Sequence, residues 1–346
     1  MTNEQKIFNE AMSEIGGIYI PLGRFELDPV LNAMLDVVKQ HLEVTNALNK
    51  HLPKVNVFYA NNMNINACAF KAENQYFISI NVGTVIRLKE IFDKIVNNKK
   101  IADEVFEKNN VLYNSATLLY FAMIFLIAHE HSHIRFGHCD LINHLWSNSE
   151  VNFLNEATSN CLVKDGIFRQ TLEYDADCCA IANVINRQIM SKDYHNRKFE
   201  DFSKAIGLCS LSCYILFKIF DNGEHSNYEN YKLDELSKST HPRPGIRIDY
   251  IMGNIATLLL KYYDNKEVNK IIDKVFENIK TFEMLFNNEI DIKKLEIGIA
   301  YTKKGREHME TIHNNWKEVS KLLEPFTNDG LAEFESYKSS NRVFID

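Results

Sequence analysis

The feature that most constrains the fold is an apolar run that leads directly into a group of histidines. The run extends from Ala116 to Ala128, and residues 129–133 read His-Glu-His-Ser-His. About 13 apolar residues are too few to span a bilayer, which needs roughly 20. A second run, residues 205–220, has about 16 residues and contains Lys218. Both runs therefore predict helices buried in a protein core, and the histidines lie at the end of the first.

Residues 129–133 have the H-E-x-x-H spacing, which places two imidazoles on one face of a helix. Four residues advance a helix by about 400° and about 6 Å, so His129 and His133 can hold one zinc ion between them. Glu130 is then placed to take a proton from water at the open side of the metal. His138 would point to another face of a continuing helix. It is therefore expected to support a metal ligand from behind or to lie at the surface, and not to bind the metal. The alternative is a histidine-rich helix end that binds no metal.

A catalytic zinc site usually has three protein ligands, so a third ligand is expected elsewhere in the chain. Glu173 and Asp177 are four residues apart on a predicted helix, and the small residues around them indicate a packed helix. Glu173 can complete a His-His-Glu site, and Asp177 can accept the remaining ring N–H of a ligating histidine. Glu150 and Glu156 are closer in sequence to the histidines and remain alternatives for the third ligand.

The segment Ser239-Thr-His-Pro-Arg-Pro-Gly-Ile-Arg carries two further candidates. His241 could donate a hydrogen bond to an oxyanion as a carbonyl group is attacked. Arg247 could hold the carboxylate of either Asp175 or Asp177. The alternative is a proline-rich turn that enters a helix, and the segment alone does not distinguish the two.

The remaining patterns predict a mostly helical α+β protein. The sequence indicates a helix over residues 29–50, a small sheet, and helices from Gly83 onward. The strands of that sheet are predicted over residues 55–60, 65–70 and 76–82. A domain boundary is predicted near residue 260. It separates a domain over 1–260 from a helical carboxyl-terminal appendage over 261–346, in which no catalytic or binding motif is recognised.

The composition disfavours nucleic acid as a partner and indicates a reducing compartment. The 346 residues include 39 Lys and Arg against 46 Asp and Glu, a formal net charge of -7. Such a chain is a poor binder of polyanions, so nucleic acid is not expected as a partner. Its seven cysteines form no C-x-x-C pair and suit the reducing cytoplasm. The amino terminus lacks a basic start followed by an apolar core, so no secretory signal peptide is expected.

The motifs at 129–133, 173–177 and 241–247, in this order, resemble those of the gluzincin metallopeptidases. Within that group they are most similar to the HtpX and CaaX-protease type. The upstream segments 65–69 and 77–83 are similar to the Asn-Ala hairpin and following strand of that type. The resemblance covers roughly residues 55–250 and is more specific than H-E-x-x-H alone.

The resemblance implies a zinc endopeptidase fold, with a small twisted sheet beside the active-site helix. It implies Glu173 as third zinc ligand, Asp177 as the partner of a ligating histidine, and His241 near the oxyanion. It also implies that an edge strand, expected at Tyr76 to Val82, pairs with an extended substrate. This chain departs from that type in lacking convincing membrane spans and in its short gap of 40 residues between His133 and Glu173.

A cytoplasmic protein with this motif set also resembles the Lit-type phage-exclusion peptidases. That resemblance implies antiviral defence by cleavage of a host translation factor. The sequence therefore predicts a zinc-dependent endopeptidase with a protein or peptide substrate, acting as a regulated phage-defence or stress protease. Two alternatives stay open: a non-catalytic, metal-stabilised sensor or interaction protein, and a metal-dependent hydrolase of a substrate other than a peptide.

Overall fold

Helices predominate in the computed structural model and one small sheet accompanies them, which confirms the predicted α+β class. The structure describes residues 28–48, 51–72, 74–105, 114–145, 154–155, 163–189, 199–221, 233–287 and 294–328, with residues 9, 12–13, 15–19, 289 and 291. The two alternative third ligands, Glu150 and Glu156, lie outside the described residues.

The helices of the described ranges follow in chain order. They are α1 (Asp28–Leu48), α2 (Val82–Asn97), α3 (Lys99–Val105), α4 (Ser115–Arg135), α5 (His138–Leu145), α6 (Val163–Val184), α7 (Phe199–Phe220), α8 (Pro244–Leu259), α9 (Asn265–Asn287) and α10 (Lys303–Leu323). Helix α6 continues into a π-helical turn, Ile185–Ile189, and two 3-10 helices cover Leu233–Lys238 and Glu296–Tyr301.

The sheet has the strand order β1-β3-β2-β4, with β1 at Val55–Ala60, β2 at Ala67–Ala72, β3 at Gln75–Asn81 and β4 at Leu154–Asn155. Strand β3 pairs in parallel with β1 and antiparallel with β2, while β4 pairs antiparallel with β2 at Cys68 and Ala69.

The expectation that Tyr76 to Val82 forms an edge strand is wrong. Strand β3 is internal, because its backbone is hydrogen-bonded to a neighbour on each side. Its side chains from Phe77 to Asn81 are buried on both faces of the sheet, which is the environment of a central strand. Val82 already belongs to α2. An extended substrate therefore has no free edge on β3.

Helix α4 is the central element, since its side chains from Leu118 to Ile134 are buried on almost every side. Its bounds agree to within a residue with the helix that the sequence predicts over about residues 114–135. At its start the Asn114 side chain accepts a hydrogen bond from the backbone N–H of Thr117 at 2.8 Å. At its end Gly137 adopts a φ of 78°, a left-handed conformation that glycine accommodates without strain. The chain then turns and starts α5 at His138.

Helix α7 is the one described helix that is long and apolar enough to cross a membrane by length and composition. In its most apolar stretch, 83% is buried inside the protein. Its central aromatic side chains, Tyr214 and Phe217, are almost completely buried. This burial agrees with the prediction of a core helix.

The carboxyl-terminal helices contribute to the same hydrophobic core as the rest of the chain. Val275 of α9 and Trp316 of α10 belong to the cluster that contains Phe125 of α4. Arg243, just before α8, forms an ion pair with Glu296, with an Nε–Oε1 distance of 3.0 Å. The domain boundary near residue 260 stays a prediction.

Replacing Gly83 by alanine tests how tightly α2 is joined to the sheet. A Cβ atom at this position would lie 2.0 Å from the carbonyl oxygen of Met63, and the clash is with backbone. We expect Gly83→Ala to lower the free energy of unfolding by about 1–3 kcal/mol in denaturant titrations. The control is Gly207→Ala on α7, where the Cβ would lie 3.3 Å from the Asn278 side chain. A loss for Gly83→Ala no larger than that of the control would contradict the prediction.

Candidate metal centre

Helices α4 and α6 bring three metal-binding side chains together. The Nε2 atoms of His129 and His133 are 3.0 Å apart. The carboxylate of Glu173 has one oxygen 3.1 Å from His129 Nε2 and the other 3.5 Å from His133 Nε2. Two ligand atoms bound to a tetrahedral zinc ion at about 2.0–2.1 Å lie about 3.3 Å from each other. The three side chains therefore form one face of a site that could hold a metal ion.

The surroundings of these three side chains favour a bound cation. All three are buried, and Glu173, the most exposed of them, is only 3% exposed. Two imidazoles and a carboxylate converging in the protein interior are costly unless something binds between them. The basic residues His133 and Arg135 occupy the last turn of α4, where the helix dipole also favours positive charge. This donor set suits zinc among other divalent metals.

His129 is oriented by a carboxylate behind it. Its Nδ1 lies 2.9 Å from Asp177 Oδ1, so this carboxylate stands beside one ring nitrogen and Nε2 is left as the metal-facing atom. Arg247 donates two hydrogen bonds of 2.8 Å to the same carboxylate. The guanidinium of Arg247 lies 4.1 Å from the ring centroid of Phe217. Of the two carboxylates left open for Arg247, it binds Asp177.

His133 is oriented by a second, separate chain of contacts. Its Nδ1 lies 2.9 Å from Nδ1 of His138, and Nε2 of His138 lies 3.1 Å from Asp175 Oδ2. If His133 faces a metal with Nε2, its Nδ1 must carry the proton and donate to His138. His138 then carries its own proton on Nε2 and donates it to Asp175. His138 is buried and contacts His133 from behind the candidate centre. This is one of the two roles that the sequence favoured for it.

His241 approaches the centre beside Glu173. Its Nε2 lies 3.3 Å from Glu173 Oε2, and its Nδ1 lies 3.0 Å from the hydroxyl of Thr240. Burial raises the pKa of Glu173, but His241, His133 and a hydrogen bond from His129 outweigh burial and hold that pKa well below its usual range. Glu173 is therefore an anion, as a metal ligand must be.

Gln170 fixes the segment that carries His241, a role that the sequence did not indicate. Its side-chain N–H groups donate to the backbone carbonyls of Leu236 and Ser239 at 2.7 and 2.8 Å. Its amide oxygen lies 2.7 Å from Nε2 of His308 on α10. The carboxyl-terminal helices thus support the position of His241 through one fully buried amide.

Glu130 follows His129 on α4 and is completely buried. Its charge acts on two cysteines, Cys68 of β2 and Cys139 of α5. Burial is the largest cause that raises the pKa of each thiol, and the charge of Glu130 contributes further. The carboxylate therefore lies on the side of α4 that faces β2 and α5.

A variant without the second histidine tests metal binding directly. His133→Ala removes one nitrogen of the three-residue group, so we expect the purified variant to lose the metal that wild type carries at about one ion per chain. The control is His144→Ala, because His144 is exposed on α5. Metal content is measured by elemental analysis after gel filtration. Equal metal content in wild type and His133→Ala would rule out this centre.

The contact between Asp175 and His138 predicts a weaker effect at a distance. Asp175→Asn removes the charge that fixes the tautomer of His138, and so loosens the orientation of His133. We expect zinc affinity to fall by about 10–100-fold in competition with a chromophoric chelator. Asp140→Asn is the matched control, because Asp140 binds Lys71 and Tyr76 instead. An Asp175→Asn variant that binds zinc as tightly as the control would contradict this positioning role.

No family model matches the sequence of this chain, no curated protein is similar to it, and no solved structure matches its fold. The functional interpretation therefore depends on the side chains of the candidate centre.

Proposed function

We propose that the protein is a zinc-dependent endopeptidase of the gluzincin kind, with His129, His133 and Glu173 as zinc ligands. The observation that supports it is the meeting of these three side chains, whose ligand atoms lie within 3.5 Å of one another, with Glu130 next to His129 on α4. A scaffold that only needed a structural metal would have no use for this second buried carboxylate.

The chemistry proposed for the chain's own residues follows from their positions. When bound, zinc supplies Lewis acidity that activates water and polarises a carbonyl group. Glu130 accepts the proton of the attacking water and passes it to the leaving amine. His241, whose Nδ1 lies 3.0 Å from the Thr240 hydroxyl, can accept from that hydroxyl and donate from Nε2 to the developing oxyanion.

The proposed substrate is a protein or peptide in extended conformation. Because β3 is internal, we place the substrate along the outer edge of β2, the strand whose Cys68 is acted on by Glu130. Among the described residues, the two-residue strand β4 covers that edge at Cys68 and Ala69. A peptide bound there would replace β4 by the same kind of backbone pairing.

The proposed setting is the cytoplasm, in phage defence or a stress response, with a host translation factor as one substrate. Six described cysteines are free thiols, as a reducing compartment requires. The closed centre, in which His133 has no exposed surface, fits a protease that acts only after activation.

The same burial favours one alternative, a metal-stabilised sensor or interaction protein without catalysis. His133 and Glu130 are fully buried and His129 is 1% exposed, so a substrate reaches them only after the structure opens. A structural metal site needs no such access, since its coordination sphere is closed by the protein.

The Glu130→Gln variant separates the two functions. We expect it to retain zinc, because Glu130 is not one of the proposed ligands, and to lose cleavage almost completely, because the proposed base is replaced by a neutral amide. Cells that express wild type or Glu130→Gln are compared by mass spectrometry of newly formed peptide ends. Glu104→Gln, an exposed change on α3, is the matched control and should cleave like wild type.

Each outcome of that comparison bears on the proposal. New peptide ends that depend on Glu130 support the endopeptidase. The same ends in wild type and Glu130→Gln would remove Glu130 as the base. Bound zinc without any Glu130-dependent ends, under conditions that activate the protein, would favour the sensor or a hydrolase of another substrate.

A further inference from the structure

The segment that carries His241 is anchored a second time by the side chain of Arg243, two residues later. Arg243 is the residue just before α8 and is only 4% exposed. Its guanidinium forms ion pairs with two carboxylates, Glu296 in the 3-10 helix Glu296–Tyr301 and Asp221 directly after α7. Both acids come from other elements of the fold, so tertiary contacts hold this segment in place.

All three nitrogen atoms of the guanidinium donate to these acids. Nε of Arg243 donates to Oε1 of Glu296 at 3.0 Å, and Nη2 donates to Oε2 of the same carboxylate. Two parallel hydrogen bonds of this kind fix the orientation of both groups as well as the distance between them. Nη1 donates to Oδ2 of Asp221 at 3.0 Å. The side chain of Arg243 is therefore fixed on two sides and has little freedom to rotate.

The backbone after Arg243 lies directly against the same 3-10 helix. The N–H of Gly245 points at Oε1 of Glu296, with an N–O distance of 3.4 Å. A Cβ atom on Gly245 would lie 2.0 Å from the carbonyl oxygen of Glu296, so only glycine allows this approach. The start of α8 is thus held against Glu296 through side-chain and backbone contacts.

The backbone between Arg243 and His241 is stiff. Pro242 separates the two residues, and Pro244 follows Arg243. A proline ring holds its own φ near about -65° and confines the residue before it to extended conformations. Arg243 has such a conformation, with a φ of -59° and a ψ of 149°. A displacement of Arg243 is therefore passed on to His241, because the bonds between them cannot rotate freely to absorb it.

His241 lies between two anchors of its own segment. On the amino-terminal side, the side chain of Gln170 donates to the backbone carbonyl of Ser239 at 2.8 Å. On the carboxyl-terminal side, Arg243 is held by its two acids. Between these anchors, Nε2 of His241 lies 3.3 Å from Oε2 of Glu173. The two anchors together therefore set the distance between His241 and the candidate metal centre.

We propose that Arg243 is a positioning residue, which through its pair with Glu296 holds the imidazole of His241 beside Glu173. The proposal rests on the proposed function in one respect, since His241 is taken to donate to the oxyanion. It gives the residues beyond 260 a part in the candidate centre, because Glu296 belongs to them. A buried ion pair adds little net stability on average, since desolvation of the two charges offsets their attraction. The geometry that the pair imposes is therefore what an experiment must measure.

Hydrogen exchange followed by mass spectrometry tests the positioning without a substrate. Arg243→Lys keeps the positive charge, but a lysine cannot form the two parallel hydrogen bonds to Glu296. We expect the backbone amides of residues 239–247 to exchange about tenfold faster or more, since a hydrogen bond to a charged group is lost from this segment. Glu296→Gln should have the same local effect, and it is the deciding variant if Arg243→Lys does not fold.

Tyr301→Phe is the matched control. The hydroxyl of Tyr301 donates to Asp249 Oδ1 at 3.0 Å, so it joins the same 3-10 helix to α8 at a point beyond the segment of His241. Its loss should leave exchange at residues 239–247 at the wild-type rate. Unchanged exchange in both Arg243→Lys and Glu296→Gln, or an equal rise in Tyr301→Phe, would overturn the proposal.

A double-mutant cycle separates positioning of His241 from support of the fold. The readout is cleavage, by the purified protein, of a peptide that spans one of the Glu130-dependent sites. We expect Arg243→Lys to lower kcat about tenfold with KM unchanged, because the contact of His241 with the oxyanion forms only in the transition state. In a protein that already carries His241→Ala, Arg243→Lys should have no further effect on kcat.

The outcomes distinguish a failure of this proposal from a failure of the proposed function. An equal loss of kcat from Arg243→Lys in both backgrounds would show that Arg243 supports the fold alone, and would overturn the proposal. A wild-type protein that produces no Glu130-dependent peptide ends would contradict the proposed function. The exchange rates would then decide alone whether Arg243 holds the segment of His241.

Discussion

The structure depends on the burial of α4 together with the polar residues at its end. A helix that is apolar from Leu118 to Ala128 must lie in the core, and it takes His129 to His133 into the core with it. Polar groups in that position need partners from neighbouring elements. Helix α6 supplies them for two of these residues, since Glu173 and Asp177 contact His129 and Glu173 also contacts His133. The packing of α6 against α4 therefore provides partners for the two histidines at the ends of this five-residue segment.

The three acidic residues of α6 contact different histidines or different ring atoms because of their spacing. Glu173 and Asp177 are one turn apart, and they contact His129 at Nε2 and at Nδ1, respectively. Asp175 lies between them in sequence, so it points elsewhere, and it reaches His133 only through His138. Arg247 then balances the charge of Asp177 in the interior, where an unpaired carboxylate would cost several kcal/mol. Each histidine of the centre thus has its own carboxylate, directly or through a relay.

The sequence predicts those parts of the fold and site that follow from local spacing. The bounds of α4, the shared face of His129 and His133, and the approach of Glu173 all come from helical periodicity and from motif order. The contact of His138 with His133 could not be derived in this way, because it depends on the turn at Gly137 that ends α4. The internal position of β3 was missed because strand order is set by contacts between distant residues. Strand β4 has two residues, too few to show the alternation of apolar and polar side chains from which a strand is predicted.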